Sequence, residues 1–278
     1  MGFQVEATIN RNYIILIAAL LLLAYLPALY DLVIDWSTDG NYSHGFLVPL
    51  ISAYLIWRKR RELSQLDFSS SISGLYITIV GVVLFILGNA ASEYFTIRLS
   101  LVVTLFGLVL YLFGHSVIKR TWFEILFLIF MIPIPYVIYF SATFPMQLFA
   151  SKVTGALLNF LGMTVVRQGN IIHLPTQSLE VAEACSGMRS LVSLLALGAI
   201  YAYLTQKRFS AKMILFLATI PIAVIGNVFR VFITALIVYT SNVNVTAEPV
   251  HSIMGASVFV IAFILLLILG AILKRAFK

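Results

Sequence analysis

The chain is 278 residues long, 61% hydrophobic and only 10% charged, with a mean hydropathy of +1.03; this excludes a soluble globular domain and indicates an integral membrane protein. A net charge of +7 and a pI near 9.5 would suit nucleic acid, but the bases fall in short runs between apolar segments. Such runs follow membrane topology, so no nucleic-acid partner is expected.

Apolar stretches of spanning length, about 20 residues each, run from about 13 to 34, 44 to 57, 72 to 92, 97 to 118, 122 to 140, 186 to 205, 212 to 240 and 250 to 273. Backbone amides cannot stay unpaired in hydrocarbon and no barrel pattern is present, so these stretches are predicted to be helices. The expected fold is an all-α polytopic membrane protein of about eight transmembrane helices, forming one domain over 1–278. The first stretch lacks a small-residue cleavage site and reads as a retained anchor.

Arg11, Arg58-Lys59-Arg60-Arg61, Lys119-Arg120, Lys207-Arg208 with Lys212, and Lys274-Arg275 with Lys278 fall on one side if eight helices alternate. That side holds 13 of the 18 Lys and Arg and is expected to be cytoplasmic, with both termini inside. Residues 141–185 then lie outside. Pro145 to Met163 mixes Phe149, Val153, Leu157 and Phe160 with Lys152 and Asn159, which suits a short amphipathic helix in the membrane interface. Thr164 to Val181, with Gly169-Asn170 at its middle, suits a β-hairpin leading into the single cysteine, Cys185.

Cys185 sits in the run Glu183-Ala184-Cys185-Ser186-Gly187-Met188-Arg189. A lone thiol excludes an intrachain disulfide and a Cys-rich zinc site. At a helix start, with Arg189 one turn on, its pKa would be lowered toward the nucleophilic thiolate; Glu183 works against this. In the eight-helix topology Cys185 opens the sixth helix and His251 the eighth, both from outside. Arg230 lies in the outer part of the seventh helix, roughly 14 Å below its end at 1.5 Å per residue. An arginine at that depth costs a few kcal/mol, on the order of 3 on insertion scales, and faces the bundle interior or a polar cavity.

These three residues suit acyl transfer. Cys185 is the candidate nucleophile, His251 the base and then acid, and Arg230 the group that stabilises an oxyanion or orients a carbonyl. Asn227, three residues before Arg230, shares its helix face. Tyr42-Ser43-His44 opens the second helix, again outside, where His44 is a candidate for orienting substrate. Plainer roles exist for the same residues: Cys185 as a small buried hydrophobe, His251 as a helix-start cap, Ser43 and Asn41 as N-caps, and Arg230 as an ion-pair partner of Glu248 or Glu93. No His-Glu-x-x-His or paired-Cys spacing occurs, so no metal is expected.

At these positions the sequence resembles the exosortases, bacterial multi-spanning membrane cysteine transpeptidases and proteases related to archaeosortases. Four blocks carry the resemblance in order: Tyr42-Ser43-His44-Gly45-Phe46 before Pro49, Glu183 to Leu191, Gly226-Asn227-Val228-Phe229-Arg230-Val231, and His251-Ser252 with Gly255. The resemblance implies a Cys185, Arg230, His251 catalytic site and no cofactor. Implied partners are secreted proteins ending in a Pro-Glu-Pro-type motif, a transmembrane helix and a basic tail, together with membrane lipids and a lipid- or polysaccharide-linked acceptor. Cleavage would fall at the periplasmic face of the inner membrane, in protein sorting tied to exopolysaccharide. A transporter or lipid-handling scaffold, with Arg230 on an anionic headgroup and no need of the thiol, is the alternative from another class.

Overall fold

The computed structural model describes residues 11–175, 177–181, 188–241 and 250–277. The chain packs as two compact units, residues 1–134 and 135–278. Among the described residues, five helices are long and apolar enough to cross a membrane: Asn12–Thr38, Ile72–Ala90, Tyr94–Met131, Phe209–Thr240 and Phe259–Ala276.

The first unit contains α1 (Arg11–Thr38), α2 (Leu47–Arg58), the one-turn α3 (Arg60–Leu63), α4 (Ile72–Ala90) and α5 (Tyr94–Phe127). With no hydrophobic driving force between helices in lipid, close backbone approach supplies the packing. Along α4, Gly74, Gly81 and Gly88 face Tyr111, Thr104 and Ile97 so closely that a Cβ at any of them would collide. Tyr25 of α1 adds a 2.8 Å hydrogen bond to Ser100 inside the same core.

Helix α5 is two limbs joined at Gly114, where φ is 81° and ψ −174°. A straight helix would separate residues 98 and 131 by about 50 Å. Yet Arg98 is ion-paired to Asp35 at 2.7 Å, and the neighbouring Trp36 donates its indole N–H to the Met131 carbonyl at 2.8 Å. The chain therefore folds back at Gly114. The two stretches expected at about 97–118 and 122–140 correspond to these limbs, with the reversal falling earlier than the Lys119-Arg120 pair suggests. Pro133 and Pro135 then stop the returning limb, which cannot run as helix to residue 140. The second expected helix is also short: a 3₁₀ turn over Ser43–Phe46 precedes α2, whose 12 residues span about 18 Å.

The second unit contains α6 (Tyr136–Phe160), a three-stranded antiparallel sheet, α7 (Met188–Thr205), α8 (Phe209–Ser241) and α9 (Val250–Ala276). Helix α6 begins nine residues before the amphipathic segment expected from Pro145. It is amphipathic in the inverted sense: Thr143, Gln147, Ser151 and Thr154 are buried, while Val137, Phe140, Phe149 and Phe160 are exposed. The helix packs on α8, with Ala150 and Leu158 in a core shared with Val231, Ala235 and Val238.

Strands β1 (Val166–Gln168) and β2 (Ile171–His173) pair through the Gly169-Asn170 turn. Gly169 has φ 63°, the positive value a II′ hairpin needs at its first central position. A third strand, β3 (Ser178–Glu180), pairs with β2 and was not anticipated from the sequence. Ile172, Leu174 and Val181 from this sheet pack with Val231, Ala235 and Val238 of α8. Helices α7, α8 and α9 share a separate core that includes Leu194, Leu215 and Leu266.

Candidate active site

Arg230 stands on the face of α8 that also carries Asn227 and Thr234, one turn before and one after. Asn227 is 2% exposed, and its Oδ1 accepts a 2.8 Å hydrogen bond from Arg230 Nη2. Among the described residues the Asn227 Nδ2 group has no hydrogen-bond partner. Arg230, Val231 and Thr234 form one wall of a narrow cleft with room for about one water. Leu179, Glu180 and Val181, the end of β3 and the residue after it, form the other. Sequence reading missed Glu180, Val181 and Thr234; the i, i+4 spacing of Thr234 from Arg230 was the available signal.

Cys185 and Glu183 lie outside the described residues. Val181 is four positions before Cys185, a reach of at most about 14 Å for extended chain. Helix register gives a second estimate of level. Gly198 of α7 faces Thr219 of α8, and those helices run in opposite directions. Eleven residues, about 17 Å, lead from Thr219 to Arg230, and ten, about 15 Å, lead back along α7 from Gly198 to its first residue, Met188. The start of α7 and Arg230 therefore stand at a common level.

Helix α9 is held beside α7 by Tyr201, whose hydroxyl donates to the Leu267 carbonyl at 3.3 Å, and by Gln206, whose amide donates to the Gly270 carbonyl at 2.9 Å. Tyr201 and Gln206 lie 13 and 18 residues after Met188, and counting the same numbers back along α9 from Leu267 and Gly270 reaches positions 254 and 252, in the first turns of α9, where the backbone of His251 lies. The backbone of Arg189 is in the first turn of α7. Glu248, one suggested partner of Arg230, is outside the described residues. Glu93, the other, caps α5 in the first unit, its oxygens accepting from the Phe95 and Thr96 amides at 3.1 and 2.6 Å.

Tyr42, Ser43 and His44 belong to the first unit, and there they hold the chain reversal. His44 Nε2 donates to the Phe130 carbonyl at 3.2 Å. The Tyr42 hydroxyl accepts from the Ile134 amide at 3.1 Å, and Ser43 Oγ donates to the Gly40 carbonyl at 3.3 Å. Burial lowers the His44 pKa, with hydrogen bonds to the Phe130 and Asn41 backbone opposing it. The result is a neutral imidazole near pH 7 that pins residue 130 beside α2. Ser43 makes no side-chain cap. Gly45 lies flat against Trp36, where any Cβ would meet the indole.

Long apolar helices, glycine-mediated packing and a buried amide that orients an arginine in α8 define a multi-pass membrane protein with a polar site inside one helical unit. The family model described as transmembrane exosortase (Exosortase_EpsH) matches residues 36–268. The chain belongs to this family, and is thereby a membrane protein-sorting enzyme. No curated protein and no solved structure matches it.

Proposed function

We propose that the protein is a cysteine protease and transpeptidase that removes the C-terminal sorting signal of secreted proteins at the outer face of the bacterial inner membrane. The Cys185 thiolate attacks the carbonyl at the cleavage motif, and Arg230 stabilises the resulting oxyanion. His251 takes the thiol proton and gives it to the leaving amine. An acyl-enzyme remains, and an amine or hydroxyl acceptor, or water, releases the product. A substrate whose tail helix spans the bilayer presents its motif at the interface, beside α7 to α9. The substrate class is a Pro-Glu-Pro-type motif followed by an apolar helix and a basic tail, in sorting linked to exopolysaccharide.

The observation that carries this reading is the cleft in which Arg230, oriented by Asn227, adjoins Glu180 and Val181 just ahead of Cys185. The test is co-expression with a reporter ending in such a signal. Wild-type chain should shorten the reporter, while Cys185→Ala, Arg230→Ala and His251→Ala leave it full length. Normal processing by Cys185→Ala would overturn the reading and favour a scaffold role.

A further inference from the structure

A second site, unrelated to the chemistry above, lies at the opposite end of the first unit from Asp35 and His44. The two limbs of α5 do not close on each other near their junction. They leave an apolar cleft of about 300 Å³ whose walls include Leu105, Val109 and Phe113 on one limb and Val117 and Ile125 on the other, with Ile56 of α2. Phe68, also in the lining, packs edge-on against Phe113, with ring centroids 5.5 Å apart.

The basic end of the unit surrounds this cleft. Ile56 and Leu63, both lining residues, bracket Arg58-Lys59-Arg60-Arg61 in the turn from α2 to α3. Lys119 and Arg120 follow Val117 on the returning limb. Some of this charge is spent: Lys59 pairs with buried Glu124 at 2.7 Å, Arg120 pairs with Glu62, and the Arg60 guanidinium lies 4.0 Å over the Trp57 ring. Arg58, Arg61 and Lys119 are exposed and have no ion pair among the described residues. An apolar slot of this volume, with an unmatched cation two positions along the chain from each of its lining residues Ile56, Leu63 and Val117, is complementary to one kind of molecule: an acyl chain that ends in an anion.

We propose that this cleft holds one acyl chain of an anionic phospholipid, whose phosphate is bound by Arg58, Arg61 and Lys119. The same cations exclude a basic substrate tail from this place. The site depends on headgroup charge, since a zwitterionic lipid could fill the slot but not neutralise the cations. Each basic side chain near an anionic lipid surface contributes about fivefold in affinity.

The experiment uses the full chain in nanodiscs of equal dioleoyl-phosphatidylglycerol and dioleoyl-phosphatidylcholine, with retained lipid identified by native mass spectrometry. The wild type is expected to retain one phosphatidylglycerol in preference to phosphatidylcholine by roughly tenfold or more. The triple variant Arg58→Gln, Arg61→Gln, Lys119→Gln should retain both lipids equally. Val109→Trp, which fills the slot, should retain neither. Equal retention by the wild type overturns the proposal without any variant having to fold. Preference kept by the triple variant, or a lipid-free dimer mass showing that a second copy fills the cleft, overturns it too.

Discussion

Arg230 Nη2 donates to Asn227 Oδ1 at 2.8 Å, one helical turn away on α8, and Asn227 is 2% exposed. The bond fixes one edge of the guanidinium, so its remaining donors are aimed without the entropy loss a free side chain would suffer on binding. Replacing Asn227 by Ala should lower processing by about 100-fold, the cost of a misplaced group at a reacting centre, while the protein accumulates normally. Asn227→Asp, which still accepts from Arg230, should recover most of that loss. If Ala and Asp variants process alike, the amide is structural. The readout is the fraction of reporter shortened at fixed enzyme level.

Arg230 itself has two separable uses in the proposed reaction: an oxyanion partner, or a partner for the acidic residue of the substrate motif. Reversing both charges, Arg230→Glu with Lys in the motif, should leave cleavage abolished if the guanidinium serves the oxyanion. Restored cleavage would assign it to recognition. Arg230→Lys keeps the charge and loses the planar fork, and is expected to lose most activity in the first case.

Legibility of the sequence follows from how far each signal reaches along the chain. The helices at 72–92, 212–240 and 250–273 were evident because lipid demands a continuous apolar run, and α4, α8 and α9 occupy them. The pairing of Asn227 with Arg230 was readable from a spacing of three. Non-local geometry was not. That Asp35 meets Arg98, that Phe130 meets His44, and that β3 joins the hairpin depend on partners far apart in sequence. The buried face of α6 was not legible either: Phe149, Leu157 and Phe160 were set against Lys152 and Asn159, whereas Thr143, Gln147 and Ser151 are the buried residues and Phe149 and Phe160 are exposed.

The reversal at Gly114 predicts a graded pair of glycine substitutions. Gly114 and Gly162 both have φ 81°, so Ala at either position is strained by about 1–3 kcal/mol. They differ in space: a Cβ at Gly114 would strike the Ser69 carbonyl, whereas at Gly162 it meets nothing within 4 Å. Gly114→Ala should therefore lower the unfolding midpoint in detergent clearly more than Gly162→Ala. Equal effects would mean that the limbs can shift to admit the methyl.

His44 predicts a pH dependence whose sign follows from its lowered pKa. Above about pH 6.5, the unfolded value, the ring is neutral in folded and unfolded chain alike and has no effect on stability. Below it, the unfolded chain takes up a proton that the buried ring resists, so stability falls as pH passes down toward the folded value. His44→Gln, which keeps a donor for the Phe130 carbonyl and cannot titrate, should flatten the unfolding midpoint between pH 7 and 5. A slope unchanged by that substitution would show that other groups carry it.

Lys59 and Glu124 predict a non-additive pair. The Glu124 carboxylate is 0% exposed and lies 2.7 Å from the Lys59 ammonium, which also donates to the Arg120 carbonyl. Removing the cation alone, Lys59→Met, leaves a buried carboxylate without its counter-charge and should cost about 3–5 kcal/mol. The double variant Lys59→Met, Glu124→Leu removes both charges and replaces them with apolar groups of similar volume, which buried pairs tolerate well. It should regain most of the loss, by an interaction energy that a double-mutant cycle in detergent measures directly. A double variant as unstable as the sum of its singles would show that Lys59 acts through the Arg120 carbonyl and the α2 terminus, and not through Glu124.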